Sequence, residues 1–134
     1  MEKHCELFTD KVAAGFPSPA ADYVERPLDL NEHLIQHQSA TFFVRSTGDS
    51  MIGAGIHSGD LLIVDRAVIA KDNSIILAII DGDFTVKRLR MVEQNMWLQP
   101  ENSNYPDIKI HEGMDFTVWG VVTNVIHSLT GKTL

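Results

Sequence analysis

The sequence predicts a mostly β fold, sandwich-like or barrel-like, on three observations. Short runs rich in β-branched and apolar residues recur from residue 41 to residue 126. Turn-forming residues separate them. One pair of runs is joined by Asp81-Gly82, the strongest short-range hairpin signal a sequence carries.

The elements follow in chain order. Residues 1–14 show weak periodicity and contain neither glycine nor proline. The cluster Gly15-Phe16-Pro17-Ser18-Pro19-Ala20-Ala21 comes next, in which two prolines fix φ and remove two backbone donors. This stretch is expected to be a flexible, extended arm. Residues 29–37 are expected to form a short helix: Asp29 and Glu32 have capping-box spacing, and Leu30, Leu34 and Ile35 recur at helical intervals. Strand signals begin with Thr41-Phe42-Phe43-Val44-Arg45. They continue with Leu61-Leu62-Ile63-Val64 behind the turn Ser58-Gly59-Asp60. Residues 74–80 and 84–89 form the two arms of the Asp81-Gly82 hairpin, and residues 97–99 and 116–126 are two further strands. The expected organisation is an N-terminal arm, residues 1–39, and one β domain, residues 40–134.

Composition excludes several classes. The chain has 134 residues, 44% hydrophobic and 22% charged, which is the ordinary range for one globular domain. A net charge of −7 argues against direct, sequence-specific DNA binding, which favours a basic face. Cys5 is the single cysteine, so no disulfide framework exists. The longest apolar run, Ile75–Ile80, is far short of the roughly 20 residues of a membrane helix. Met1-Glu2-Lys3-His4 lacks the layout of a signal peptide. The expectation is a cytoplasmic protein with no membrane association.

Two residues stand out for chemistry. Gly48-Asp49-Ser50-Met51-Ile52-Gly53-Ala54-Gly55 places a serine in a glycine-rich loop, where backbone amides can approach a substrate closely and serve as an oxyanion hole. The bland reading is a polar turn between strands. On the strand of residues 84–89, Thr85, Lys87 and Leu89 share one face, opposite Phe84 and Val86. A lysine among apolar neighbours loses hydration and becomes a neutral amine at ordinary pH, able to accept a serine proton. The bland reading is a solvated lysine on an edge strand, with Arg88 and Arg90 nearby. The six histidines, His4, His33, His37, His57, His111 and His127, have no metal-ligand spacing and read as surface residues. Asp60 and Asp65 bracket a strand as solvated strand ends, and Asp81 and Asp83 flank a turn. Neither a metal nor a cofactor is expected.

These features line up with one family. Gly48-Asp49-Ser50-Met51, followed by Gly59-Asp60-Leu61-Leu62-Ile63-Val64-Asp65, resembles the nucleophile region of the LexA/UmuD self-cleaving Ser/Lys peptidases. Asp81-Gly82-Asp83-Phe84-Thr85-Val86-Lys87-Arg88-Leu89 resembles the strand that carries their base. Gly15-Phe16-Pro17-Ser18-Pro19-Ala20-Ala21-Asp22-Tyr23-Val24-Glu25 is similar to the arm of the UmuD branch, as are Asp29-Leu30-Asn31 and Leu34-Ile35-Gln36-His37. The likeness runs from about Gly15 to Val125 with its motifs in order.

The resemblance implies the LexA/UmuD peptidase fold, Ser50 as nucleophile and Lys87 as general base. It also implies an oxyanion hole from the backbone amides of Asp49 and Ser50, and self-cleavage at Ala14-Gly15. The UmuD branch has a cysteine before the cleaved bond, whereas the Ala-Gly pair here is LexA-like. The implied role is a homodimeric subunit of an error-prone translesion polymerase, cleaved in the SOS response under stimulation by a RecA–single-stranded DNA filament. The polymerase partner would be of the UmuC type, in the Y family. The alternatives are a fragment of a LexA-like repressor, for which a leader of fourteen residues offers no helix-turn-helix, and a non-catalytic interaction module.

Overall fold

The computed structural model describes residues 5–8 and 24–131. Of the expected arm, residues 9–23, which include Gly15 to Ala21 and the Ala14-Gly15 bond, lie outside these residues. The chain divides into two compact units between Gln36 and His37.

In the first unit, β1 (Cys5–Phe8) pairs antiparallel with β2 (Val24–Leu28). Pro27 stands opposite Glu6, tolerated because each strand of a two-stranded ribbon has an open edge for the missing donor. A short helix, α1 (Leu30–Leu34), follows. Its N-cap is Asp29, whose Oδ1 accepts from the amides of Asn31 at 3.0 Å and Glu32 at 3.5 Å. The helix is shorter than the residues 29–37 expected, because Ile35 is already extended at φ −107° and ψ 104°. None of its side chains is buried, so packing gives it nothing with which to continue.

The second unit is a seven-stranded antiparallel sheet in the order β3-β4-β9-β5-β6-β7-β8. Its strands are β3 (Thr41–Arg45), β4 (Leu61–Asp65), β5 (Ile75–Ile80), β6 (Asp83–Val92), β7 (Asn95–Gln99), β8 (Ile108–Ile110) and β9 (Phe116–Ile126). The β5–β6 hairpin closes with Ile80 opposite Asp83. Asp81 and Gly82 both have positive φ, 49° and 88°, the backbone that a two-residue hairpin of matching twist requires. Strand β9 bulges twice, opposite Ile63/Val64 and opposite Leu77/Ala78. Each bulge adds twist and bends this long central strand.

The mostly β fold predicted from the sequence is the fold observed. Its core lies on both faces of β5, which explains why residues 75–80 read as one unbroken apolar run. Leu77 packs with Met51, Ile56, Leu62 and Val64, whereas Ile76 and Ala78 pack with Leu89, Leu98 and Val121. Asp60 and Asp65 correct the reading of solvated strand ends: both are 3% exposed. Burial of a carboxylate is tolerable only with partners, and Asp65 has the His37 ring at 2.6 Å and the Ala67 amide at 2.8 Å. Burial alone would raise the Asp65 carboxyl, but these hydrogen bonds together hold it below its usual value. His37 is likewise tied to a buried group and is not a free surface histidine.

Candidate active site

Ser50 stands on the loop of residues 46–60 that joins β3 to β4. The base of the loop is closed by the amide of Ser46 donating to Asp60 O at 2.9 Å and that of Gly59 donating to Ser46 O at 2.8 Å. The hydroxyl of Ser46 donates to His57 O at 2.7 Å. Two of the loop's apolar residues, Met51 and Ile56, are part of the core at 3% and 5% exposure. Burying them fixes the loop to the sheet, so Ser50 projects from an anchored turn.

A second loop, residues 100–105, clamps the first. Asn102 Nδ2 donates to Asp49 O at 2.9 Å and the Tyr105 hydroxyl donates to Asp49 Oδ1 at 2.6 Å. The Gly53 amide donates to Glu101 O at 2.8 Å. The approach is so close that a Cβ at Gly53 would lie 2.7 Å from that carbonyl oxygen, which is why glycine is needed here. Glu101 is in turn paired with Arg88 Nε on β6 at 2.5 Å. The Tyr105 hydroxyl, hydrogen-bonded to Asp49 and next to its charge, is pushed above its usual pKa and stays a donor.

Lys87 comes from β6. Its Nζ lies 3.0 Å from Ser50 Oγ, 2.8 Å from Thr85 Oγ1 and 3.0 Å from Val86 O. Lys87 pairs with Ile76 of β5 and lies just before β7 begins to pair with β6, yet its side chain is half-buried, so a fully solvated lysine is not what the fold provides. Burial holds the amine below its ordinary pKa, and no carboxylate pairs with it among the described residues to reverse that. A neutral amine has two N–H donors and one lone pair. Val86 O and Thr85 Oγ1 can accept the two donors, which leaves the lone pair for the Ser50 hydroxyl.

Beside this pair is a cleft of about 250 Å³. One wall is formed by Val44, Ser46 and Gly48, the other by Phe84, Val86 and Lys87. Strand β6 pairs with β7 only from Arg88 onwards, so this wall belongs to a stretch of β6 with a sheet partner, β5, on one side alone. The amides of Asp49 and Ser50 donate no hydrogen bond to any other described residue.

Of the residues singled out from sequence, Ser50 and Lys87 are thus brought together and Asp49 adjoins them. Ala14 and Gly15 lie outside the described residues. Sequence reading missed Arg88, Glu101, Asn102 and Tyr105 as supports of the nucleophile loop. Their signal is weak, since their partners lie far away in the sequence and no spacing announces them. Thr85 was legible as a neighbour of Lys87 on one strand face, though not as a partner of its amine.

Comparison with known proteins gives the family. The family model described as Peptidase S24-like matches residues 6–123. The protein SamA of Salmonella typhimurium is 50% identical over 121 residues, which cover 90% of this chain and 84% of SamA. The protein MucA of Escherichia coli is 42% identical over 124 residues, covering 92% and 82%. A LexA repressor of Frankia casuarinae is 39% identical over 116 residues, covering 87% of this chain and 44% of the repressor. With the family model across most of its length and these relatives, the chain belongs to the Peptidase S24-like family, as a UmuD-like member of the LexA/UmuD self-cleaving peptidases.

Proposed function

We propose that the chain cleaves its own Ala14-Gly15 bond, or that of a dimer mate, with Ser50 as nucleophile and Lys87 as base. The observation that carries this reading is the 3.0 Å separation of Lys87 Nζ from Ser50 Oγ, with the amine's pKa depressed by burial. In the first step neutral Lys87 takes the Ser50 proton while Oγ attacks the Ala14 carbonyl carbon. The amides of Ser50 and Asp49 donate to the oxyanion that forms. When the carbonyl re-forms, the C–N bond breaks and the Lys87 ammonium returns its proton to the Gly15 nitrogen. Water, deprotonated by Lys87, then hydrolyses the Ser50 ester, freeing the Ala14 carboxylate and restoring the serine. Small residues at the bond suit a cleft of this size, because the attacked carbonyl must approach the loop closely.

In the cell, the reading is a cytoplasmic homodimer that is a subunit of an error-prone translesion polymerase, partnered with a UmuC-type Y-family enzyme in the SOS response. A RecA–single-stranded DNA filament would stimulate the single cleavage. The likeness to SamA and MucA supports this assignment. The test is incubation of the purified chain with RecA, single-stranded DNA and a nucleotide that sustains the filament, followed by intact mass and N-terminal analysis. A fragment beginning at Gly15 is expected; a different new terminus, or none, refutes the assignment.

A further inference from the structure

Asp60, outside the dyad, is a buried carboxylate at the base of the Ser50 loop and the hub of a second cluster. Its Oδ2 accepts the His57 amide at 2.7 Å, and its Oδ1 lies 2.5 Å from His127 Nδ1. Burial alone would raise its pKa, but the His57 amide and the His127 ring outweigh burial and hold it lowered. His57 Nδ1 is different: it is buried, stands 3.6 Å from Asp60 Oδ2, and has no hydrogen-bond partner among the described residues. A buried polar atom without a partner is uncommon and calls for an explanation. The two imidazoles face each other with centroids 4.5 Å apart and planes 32° apart. Their donor atoms and the Asp60 carboxylate all fall within 4.8 Å of one another.

The β4–β9 ladder makes this cluster. Leu61 is opposite Ile126, so the residues just outside that pair, Asp60 and His127, meet at the end of the ladder. The two histidine side chains are 44% and 41% exposed, which leaves the cluster open to ions from solution.

We propose that His57, Asp60 and His127 form a binding site for a divalent transition-metal ion of the zinc and cobalt type. Two imidazoles and one carboxylate suit such ions, whereas magnesium and calcium favour sites built from oxygen alone. Bonds of about 2.1 Å to a tetrahedral ion place donors about 3.4 Å apart, close to the His57–Asp60 distance. The His127–Asp60 pair must widen by roughly 1 Å, and His127 must carry its ring proton on Nε2 so that the Nδ1 lone pair faces the ion. His57 Nδ1 would then have the partner it lacks, and water would fill the fourth position. The Asp60 carboxylate has lone pairs enough to keep the His57 amide while it binds the ion. A bound ion would tie the base of the Ser50 loop to the end of β9; it would not take part in the chemistry at Ser50.

Titration of the chelator-treated full chain with Zn²⁺ in a calorimeter, and with Co²⁺ by visible absorption, tests this. One ion per chain is expected, with cobalt bands of a low-coordinate site, and no heat with Mg²⁺. His57→Ala and His127→Ala should each weaken binding by at least about tenfold. Both side chains are half-exposed, so their removal leaves the fold intact, which circular dichroism would verify. His111→Ala and Cys5→Ser should change nothing. No binding, wild-type affinity in either histidine variant, or loss on His111→Ala or Cys5→Ser would overturn the proposal.

Discussion

Lys87 Nζ and Ser50 Oγ are 3.0 Å apart across 37 residues of sequence, one held on β6 where it pairs with β5 and the other on a loop clamped from two sides. Neither group is reactive alone, so both should be needed. Ser50→Ala removes the nucleophile, and Lys87→Arg substitutes a guanidinium that stays protonated. Each should lower RecA-independent as well as filament-stimulated self-cleavage by more than about 10²-fold, the usual worth of a positioned base. Cleavage near the wild-type rate in either variant would exclude the dyad.

The same pair predicts how the rate depends on pH. Burial lowers the Lys87 pKa below its usual value near 10.5, and only the neutral amine can accept the Ser50 proton. The competent fraction therefore rises about tenfold per pH unit until the shifted pKa is reached, and then levels off. Spontaneous cleavage should be slow near neutrality and faster in alkaline buffer. A rate-versus-pH series, with Ser50→Ala as the blank, reads this directly. A plateau already complete at neutral pH would point to a different base.

Thr85 should tune that profile. Its Oγ1 is 2.8 Å from Lys87 Nζ and can accept one amine hydrogen, helping to turn the lone pair towards Ser50. Thr85→Val keeps the shape and removes the acceptor. The plateau rate should fall on the order of tenfold, as for loss of one hydrogen bond to a charged or polar group. Because the hydroxyl also stabilises the ammonium, its loss should move the rising limb to lower pH. A profile superimposable on wild type would dismiss the positioning role.

What the sequence made legible follows local chemistry. The β5–β6 hairpin could be read because Asp81-Gly82 specifies its turn and both flanking runs have strand composition. Strands β1 and β2 were missed, the first for weak periodicity and the second because Pro27 speaks against a strand. Strand β8, three residues long, is too short for periodicity to mark. Ser50 and Lys87 were found through likeness to a family, since neither lies at a spacing that announces the other. Asp60 and His127 were read as unrelated surface groups, because only the β4–β9 register joins residues 67 apart. The clamp by residues 100–105 was hidden for the same reason: its partners are set by tertiary approach.

That clamp makes Gly53 a sensitive position. A methyl group there meets a backbone oxygen at 2.7 Å, an atom that cannot rotate away. Gly53→Ala should destabilise the fold by about 1–3 kcal/mol, the usual cost of overpacking, and slow cleavage by displacing the Ser50 loop. Tyr105→Phe, which removes only the bond to Asp49, should destabilise the fold less than Gly53→Ala does. Urea unfolding and cleavage rates of the two variants give both quantities. Wild-type stability in Gly53→Ala would mean that the two loops are not in this contact.

The buried amine should also carry a stability cost that depends on pH. Folded Lys87 has a pKa below the 10.5 of the unfolded chain, so between those values the unfolded state binds more protons and stability rises with pH. Below the folded pKa the cost is fully present; above about 10.5 it has vanished. Lys87→Met has no such titration and fills similar space with an apolar chain. It should therefore be more stable than wild type at pH 7. The difference should shrink as pH rises through the window and close, apart from packing, near pH 10.5. Urea midpoints for both proteins at pH 7, 9 and 10.5 measure it. A wild type more stable than Lys87→Met at pH 7, or a difference that does not change with pH, would mean that burial does not hold this amine out of its charged form.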